Sequence, residues 1–464
     1  MRRSGRPDAA ERAAAEQSEV QRRLREVEQA LLARAPENDV EPSLDQITEV
    51  MDLLGDPQRA FPVVHLTGTN GKTSTTRMIE RLLRELGLST GRFTSPHLHD
   101  LRERIAFSGE PIGAERLIGT YDDVLPFLQM VDERSRAAGV PRMNYFQAMV
   151  ALAYAAFADA PVDVAVVEVG LGGAWDATNV ADGQVAVMTP VAIDHQRLLG
   201  NTVEEIATEK SGIIKPGAIG VIGVQQAEVD EIVRERADEV GASLRFEGRD
   251  FGLLEHDVAV GGQLVSLRGL AGDYPDVFLP LHGQHQAHNA AIALAAVEAF
   301  VGGGEQPLDL EVVRAGFAGV TTPGRLEIVR RSPTVMVDAA HNPAGAVALR
   351  DALRDSFTFT KVVGLIAILA DKPADEILQI LEPVMDEVVV TRTSSPRATD
   401  PKELGEVAAE IFGEDRVTVV PELPAALDTA AGLADEGGVA GGVLATGSVV
   451  TAAEVRMLLG VTTT

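Results

Sequence analysis

The stretch Val63-Val64-His65-Leu66-Thr67-Gly68-Thr69-Asn70-Gly71-Lys72-Thr73-Ser74-Thr75-Thr76 sets the frame for the whole chain. A β-branched, apolar run meets two glycines, a lysine and a cluster of hydroxyls. Met78, Ile79, Leu82, Leu83 and Leu86 then recur at helical spacing until Gly87 stops the pattern. This reads as strand, tight loop and helix N-terminus. Unpaired N–H groups and the macrodipole at a helix start favour an anion there. Gly68 and Gly71, with Thr69 and Asn70 between them, let the backbone close in on phosphate. Lys72 can reach the outer phosphate oxygens, and Thr73 or Ser74 a metal ion. The spacing is shorter than the long P-loop pattern and fails the dinucleotide fingerprint G-x-G-x-x-G. A plain glycine turn before an exposed lysine is the bland alternative, and it leaves the strand-to-helix setting without a purpose.

At 464 residues the chain is long enough for two domains. With 41 basic against 69 acidic residues its net charge is −28, which argues against nucleic acid or anionic lipid as a partner. It has no cysteine, hence no disulfide or thiol chemistry. The N-terminus lacks an apolar core of the kind a signal peptide needs. The most apolar stretch, 148–169, is broken by Asp159, Pro161 and Asp163, so it reads as a buried helix and strand rather than a membrane span. A cytoplasmic protein is expected.

Residues 1–7 are expected to fray, and 8–34 to form a helix with Val20, Leu24, Val27 and Leu31 on its packed face. Gly91 to Leu98 and Leu101 to Ile105 read as a structured loop rather than an element. Val162 to Val169 suits a central parallel strand with Glu168 at its carboxyl end, where open α/β sheets hold ligands. After a linker at 319–325, strands at 334–337, 362–369, 387–391, 417–420 and 443–446 alternate with helices. The fold class is α/β: an N-terminal P-loop-type ATPase domain with a mostly parallel sheet, and a smaller C-terminal Rossmann-like α/β domain. The boundaries read as an N-terminal helical extension (1–40), an ATP-binding domain (41–318), the linker (319–325) and a C-terminal domain (326–464).

Three groups on separate loops, Ser95, Glu168 and His195, could converge beside the phosphates and hold Mg²⁺, the histidine being an awkward ligand for so hard a cation. Each is otherwise a satisfied polar group at a buried edge. Lys210, judged alone, is a solvated helix lysine. Asp338-Ala339-Ala340-His341-Asn342-Pro343 follows a strand directly and suggests either a ligand contact or a helix-capping turn. Arg325, in a Pro-Gly linker, could reach a γ-phosphate when the domains close.

These segments resemble a known family. Thr67 to Ser74, Thr94-Ser95-Pro96-His97-Leu98, Glu168 to Gly173, Asp176-Ala177-Thr178-Asn179, Asp194-His195, Glu209 to Ile214, His285 to Asn289, Pro323-Gly324-Arg325 and Asp338 to Pro343 follow the order seen in folylpolyglutamate synthase/dihydrofolate synthase. That family is a cousin of the Mur ligases, and the resemblance covers roughly residues 40–460. It implies a monomeric, ATP-dependent ligase that joins L-glutamate to dihydropteroate or to the γ-carboxylate of a glutamylated tetrahydrofolate through an acyl phosphate. It also implies that Lys72 and the loop hold ATP, with Asn289, Arg325 and Asp338 contacting the nucleotide. Ser95, Glu168 and His195 would bind two Mg²⁺ ions, with Lys210 carbamylated into a metal ligand, and His341 and Ser448 would belong to the glutamate site. A polyglutamate-only synthase and a Mur-type ligase acting on another acid are the alternatives; a non-catalytic nucleotide-gated module is a more distant one. Two positions depart from the family pattern: Gln147, where relatives often carry a glutamate, and Ala174, where they often carry an arginine. The expectation is that these form a non-catalytic pair in relatives.

Overall fold

The computed structural model describes residues 9–36 and 42–461; the expected fraying of 1–7 falls outside them. Val63–Thr67 is buried along its whole length, as a strand covered on both faces must be. It lies between Val164–Glu168 and Gly183–Met188 in an eight-stranded sheet, parallel to both. Ile219–Ile222 and Ser243–Phe246 extend the sheet in parallel on one side. On the other side Thr90–Phe93 is parallel, and Ile105–Phe107 and Glu110–Pro111 close the edge antiparallel.

Thr90–Phe93 corrects the loop expected from Gly91 onward. A glycine and an arginine disguise this fully buried strand. Gly91 is there because a Cβ would stand 2.7 Å from the Phe157 ring. Arg92 is neutralised inside the protein by Glu80 of the preceding helix, Lys72–Glu85. The second half of the expected loop, Leu101–Arg104, is a short 3-10 turn closed by a capping box between Asp100 and Glu103.

Both faces of the sheet are covered. On one, Leu24, Val27 and Leu31 of the helix Ala9–Leu32 join Leu128, Tyr154 and Phe157 in one core. On the other, Met78, Ile79 and Leu82 pack with the alanine-rich helix Gln284–Gly302. Pro126 interrupts the pattern that would announce the helix Ala114–Ala137, yet Leu117, Tyr121, Val124, Leu128 and Val131 line its buried face. In an antiparallel trio, Gly252–Ala259, Gly262–Arg268 and Asp273–Leu279, the first hairpin turns at Gly261, whose φ of 79° suits glycine.

The C-terminal sheet has six strands in the order Glu327–Arg331, Thr334–Val337, Gly441–Thr446, Lys361–Ile366, Glu387–Arg392 and Val417–Glu422. All are parallel except Glu327–Arg331, which returns as an antiparallel edge. Both sheets turn the carboxyl ends of inner strands toward one cleft: Gly68 follows one strand, Glu168 ends another, and Asp338 follows Val337. Among the described residues no helix is long and apolar enough to cross a membrane.

Candidate active site

The phosphate loop takes its shape from two backbone positions that exclude a side chain. Gly68 has φ 144°, and a Cβ there would lie 1.9 Å from Thr189 Oγ1. Gly71, at φ 86°, would drive a Cβ to 2.6 Å from Asn289 Oδ1. The loop is tied to the neighbouring strand end by Thr69 N–H donating to Pro190 O (3.0 Å) and Thr189 Oγ1 donating to Asn70 O (2.7 Å).

Two lysines meet over this loop. Lys72 Nζ donates to Gly68 O at 3.1 Å and Thr69 O at 3.2 Å, and Lys210 Nζ donates to the same Gly68 O at 2.9 Å. Lys210 is therefore not the solvated helix lysine that its local sequence suggests. Burial, with Lys72 beside it, lowers its pKa to about 7. Lys72 is lowered too by burial, against the pull of Glu168 and Asp194.

Glu168 is buried and accepts from Thr73 Oγ1 at 2.8 and 3.1 Å and, more loosely, from Ser95 N–H at 3.4 Å. Burial raises its pKa while Lys72 and Thr73 oppose the rise. His195 sits at φ 52° with its side chain 41 % exposed on the cleft wall. Burial of Asp194 is overcome by His341, His195 and Lys372, which hold its carboxyl well below the usual range.

Among the described residues no three acidic or histidine side chains form a metal cage. One buried carboxylate with hydroxyls beside a phosphate loop nevertheless fits Mg²⁺, which keeps waters and takes substrate phosphate oxygens rather than an all-protein shell.

The opposite wall belongs to the C-terminal domain. Asp338 accepts from Leu326 N–H (2.8 Å) and Ala340 N–H (2.7 Å). Burial raises its pKa, and Arg325 opposes this. His341 Nδ1 lies 2.8 Å from Ala339 O, so Nδ1 carries the proton and Nε2 faces Asp194 at 3.6 Å. Asn342 Oδ1 accepts from Gly345 N–H at 2.8 Å, so the segment is a helix-capping turn as well as a cleft wall.

Gly68, Thr69, Asn70, Gly71, Lys72, Thr73, Ser74, Ser95, Glu168, His195, Lys210, Asn289, Arg325, Asp338 and His341 all line this one cleft. Ser448 does not: buried, it caps the helix Val449–Leu458 through Thr451 N–H (3.0 Å), and its neighbour Val449 reaches the cleft. Lys372 escapes the sequence reading. It pairs with Asp194 at 2.6 Å from the far domain, and its only linear signal is a charge where the apolar run 362–369 ends. Gln147 is engaged in a capping box with Asn144 (2.9 Å each way), whereas Ala174 packs where a Cβ on Gly212 would come within 2.4 Å.

Residues 324–449 match the family model described as Mur ligase, glutamate ligase domain. The dihydrofolate synthase/folylpolyglutamate synthase of Mycobacterium tuberculosis is 50% identical over 457 residues, covering 94% of each chain. A Mycobacterium tuberculosis folylpolyglutamate synthase solved with ADP and AMPPCP superimposes with a TM-score of 0.90 at 49% identity, over 95% of this chain and 99% of that one. An Escherichia coli relative solved with DHPP and ADP gives 0.79 at 29% identity, over 91% and 94%. With its two-domain cleft built around a phosphate loop, the chain belongs to the dihydrofolate synthase/folylpolyglutamate synthase family of ATP-dependent, Mur-type glutamate ligases.

Proposed function

We propose that the chain catalyses both reactions of its family, joining L-glutamate to dihydropteroate and to the γ-carboxylate of glutamylated tetrahydrofolate. The observation that carries this reading is the single cleft with Lys72, Lys210 and Glu168 on one wall and Arg325, Asp338 and His341 on the other. A carboxylate oxygen of the folate attacks the γ-phosphorus of ATP, the bond to the ADP oxygen breaks, and an acyl phosphate forms. The glutamate amine then attacks the acyl carbon, loses a proton, and phosphate leaves from the tetrahedral intermediate. Neither step needs a protein nucleophile, so positioning and charge neutralisation carry the catalysis.

Lys72 and the amides of Gly68 to Ser74 hold the phosphates, and Asn289, Arg325 and Asp338 complete the nucleotide site. Glu168, Ser95 and His195 would hold Mg²⁺, which when bound would neutralise charge on the transferring phosphoryl group. A lysine with a pKa of about 7 is partly neutral at physiological pH. Lys210 Nζ can therefore attack CO₂, forming an N–C bond and losing a proton to give a carbamate, an anion that would help to hold the metal. His341 faces the incoming glutamate, with Ser448 fixing the adjoining turn. The protein works as a monomer in the cytoplasm, as the family resemblance implies.

ADP release measured with dihydropteroate plus glutamate, and separately with tetrahydrofolate plus glutamate, tests the double activity. Turnover with both acids is expected. Turnover with tetrahydrofolate alone restricts the enzyme to chain extension, and turnover only with a UDP-muramyl acid overturns the folate reading.

A further inference from the structure

Asp194 and Lys372 face each other across the two domains, and neither belongs to the phosphate-binding set. Their side chains are 9 % and 5 % exposed, with 2.6 Å between Lys372 Nζ and Asp194 Oδ1. The other oxygen of Asp194 accepts from Asn342 Nδ2 at 2.9 Å. Asn342 in turn exchanges two 3.1 Å hydrogen bonds with the side chain of Asn70 in the phosphate loop, while capping its own helix. One chain of contacts thus runs from Lys372 through Asp194 and Asn342 to Asn70, the second of the two residues between the loop glycines.

We propose that Lys372 is a positioning residue that latches the C-terminal domain onto the phosphate loop, setting His341 and the helix Pro343–Ser356 in register with bound nucleotide. The physical basis is the cost of a stranded charge. Asp194 accepts from His195 N–H at 2.7 Å within its own domain, but it gains its ammonium partner, Lys372, only when the domains are shut. Without it, the shut state leaves a nearly buried carboxylate to Asn342, the His195 N–H and the His341 ring, with no permanent cation beside it, and opening the cleft is the way to rehydrate it. Asn70 carries the coupling to the nucleotide side, because its backbone carbonyl is already pinned by Thr189 at 2.7 Å while its amide is engaged across the interface. The inference rests on the ligase reading for its kinetic consequence alone.

The chain has no cysteine, so Glu235→Cys and Glu403→Cys, at exposed helix positions on the two domains, give a clean pair of spin-label sites. Their distance distribution is measured on the full chain with AMPPCP, in the parent, Lys372→Met and Lys372→Arg. One short population is expected in the parent, a longer and broader one in Lys372→Met, and recovery of the short one in Lys372→Arg. In unlabelled protein, Lys372→Met is expected to raise the KM for glutamate about tenfold while the AMPPCP Kd stays within about threefold. Asn342→Asp preserves the helix cap but places a carboxylate against Asp194; it serves if Lys372→Met does not fold, and the same lengthening is expected. A distance distribution in Lys372→Met, or in Asn342→Asp, that matches the parent overturns the latch. Because the distance needs no turnover, failure of the folate assignment would leave this result standing, and the reverse.

Discussion

At the scale of single residues, two lysines sharing one carbonyl define the site's electrostatics. Lys72 lies among loop carbonyls, and in the proposed function phosphate oxygens become its partners. Lys72→Ala should lower kcat/KM about 100- to 1,000-fold, the usual loss when one preorganised charge-stabilising donor is removed; steady-state kinetics at saturating magnesium measures it. Lys210 is the opposite case. Its folded pKa of about 7 lies below the 10.5 of a free lysine, so the unfolded chain holds the extra proton between those values. Stability from this site therefore rises with pH across that window, and below it the full cost of a buried cation is present. Lys210→Met should flatten the rise, as read from denaturant midpoints at stepped pH. Carbamylation adds a second expectation: turnover of the parent should rise with bicarbonate, and that of Lys210→Met should not respond.

At the scale of elements, local rules account for much of the fold. The strand Val63–Thr67 and the helix Lys72–Glu85 were legible because β-branched residues, glycines and a helical apolar stripe agree with one another. Thr90–Phe93 was not, since a strand that short, carrying Gly91 and Arg92, gains its identity from Phe157 and Glu80 elsewhere in the chain. The cleft shows the same division. The motif residues other than Ser448 line one cleft, whereas Lys372 acquires meaning only through Asp194, a partner distant in sequence. Gly68→Ala should abolish nucleotide binding in calorimetry without unfolding the domain, because the clash is with Thr189 at the loop alone. At the Tyr145–Asp159 helix, Asn144→Ala should cost about 1 kcal/mol in chemical denaturation, the usual value of a lost N-cap. Gln147→Glu should be close to neutral, because either residue closes a capping box. In this chain Gln147 serves that cap and Ala174 packs against Gly212.

At the scale of the whole molecule, a chain of net charge −28 still brings four cations together: Lys72, Lys210, Arg325 and Lys372 all turn to the interface between two mostly parallel sheets. Neither domain alone offers both the phosphate loop and the Asp338-to-Asn342 turn, so the proposed chemistry requires the two to meet. The most direct test of an acyl-phosphate route follows heavy oxygen placed in the substrate's reacting carboxylate. In a single turnover with ATP and L-glutamate, phosphoryl activation predicts that one labelled oxygen per turnover appears in the released inorganic phosphate. Unlabelled phosphate alongside a formed amide would contradict it.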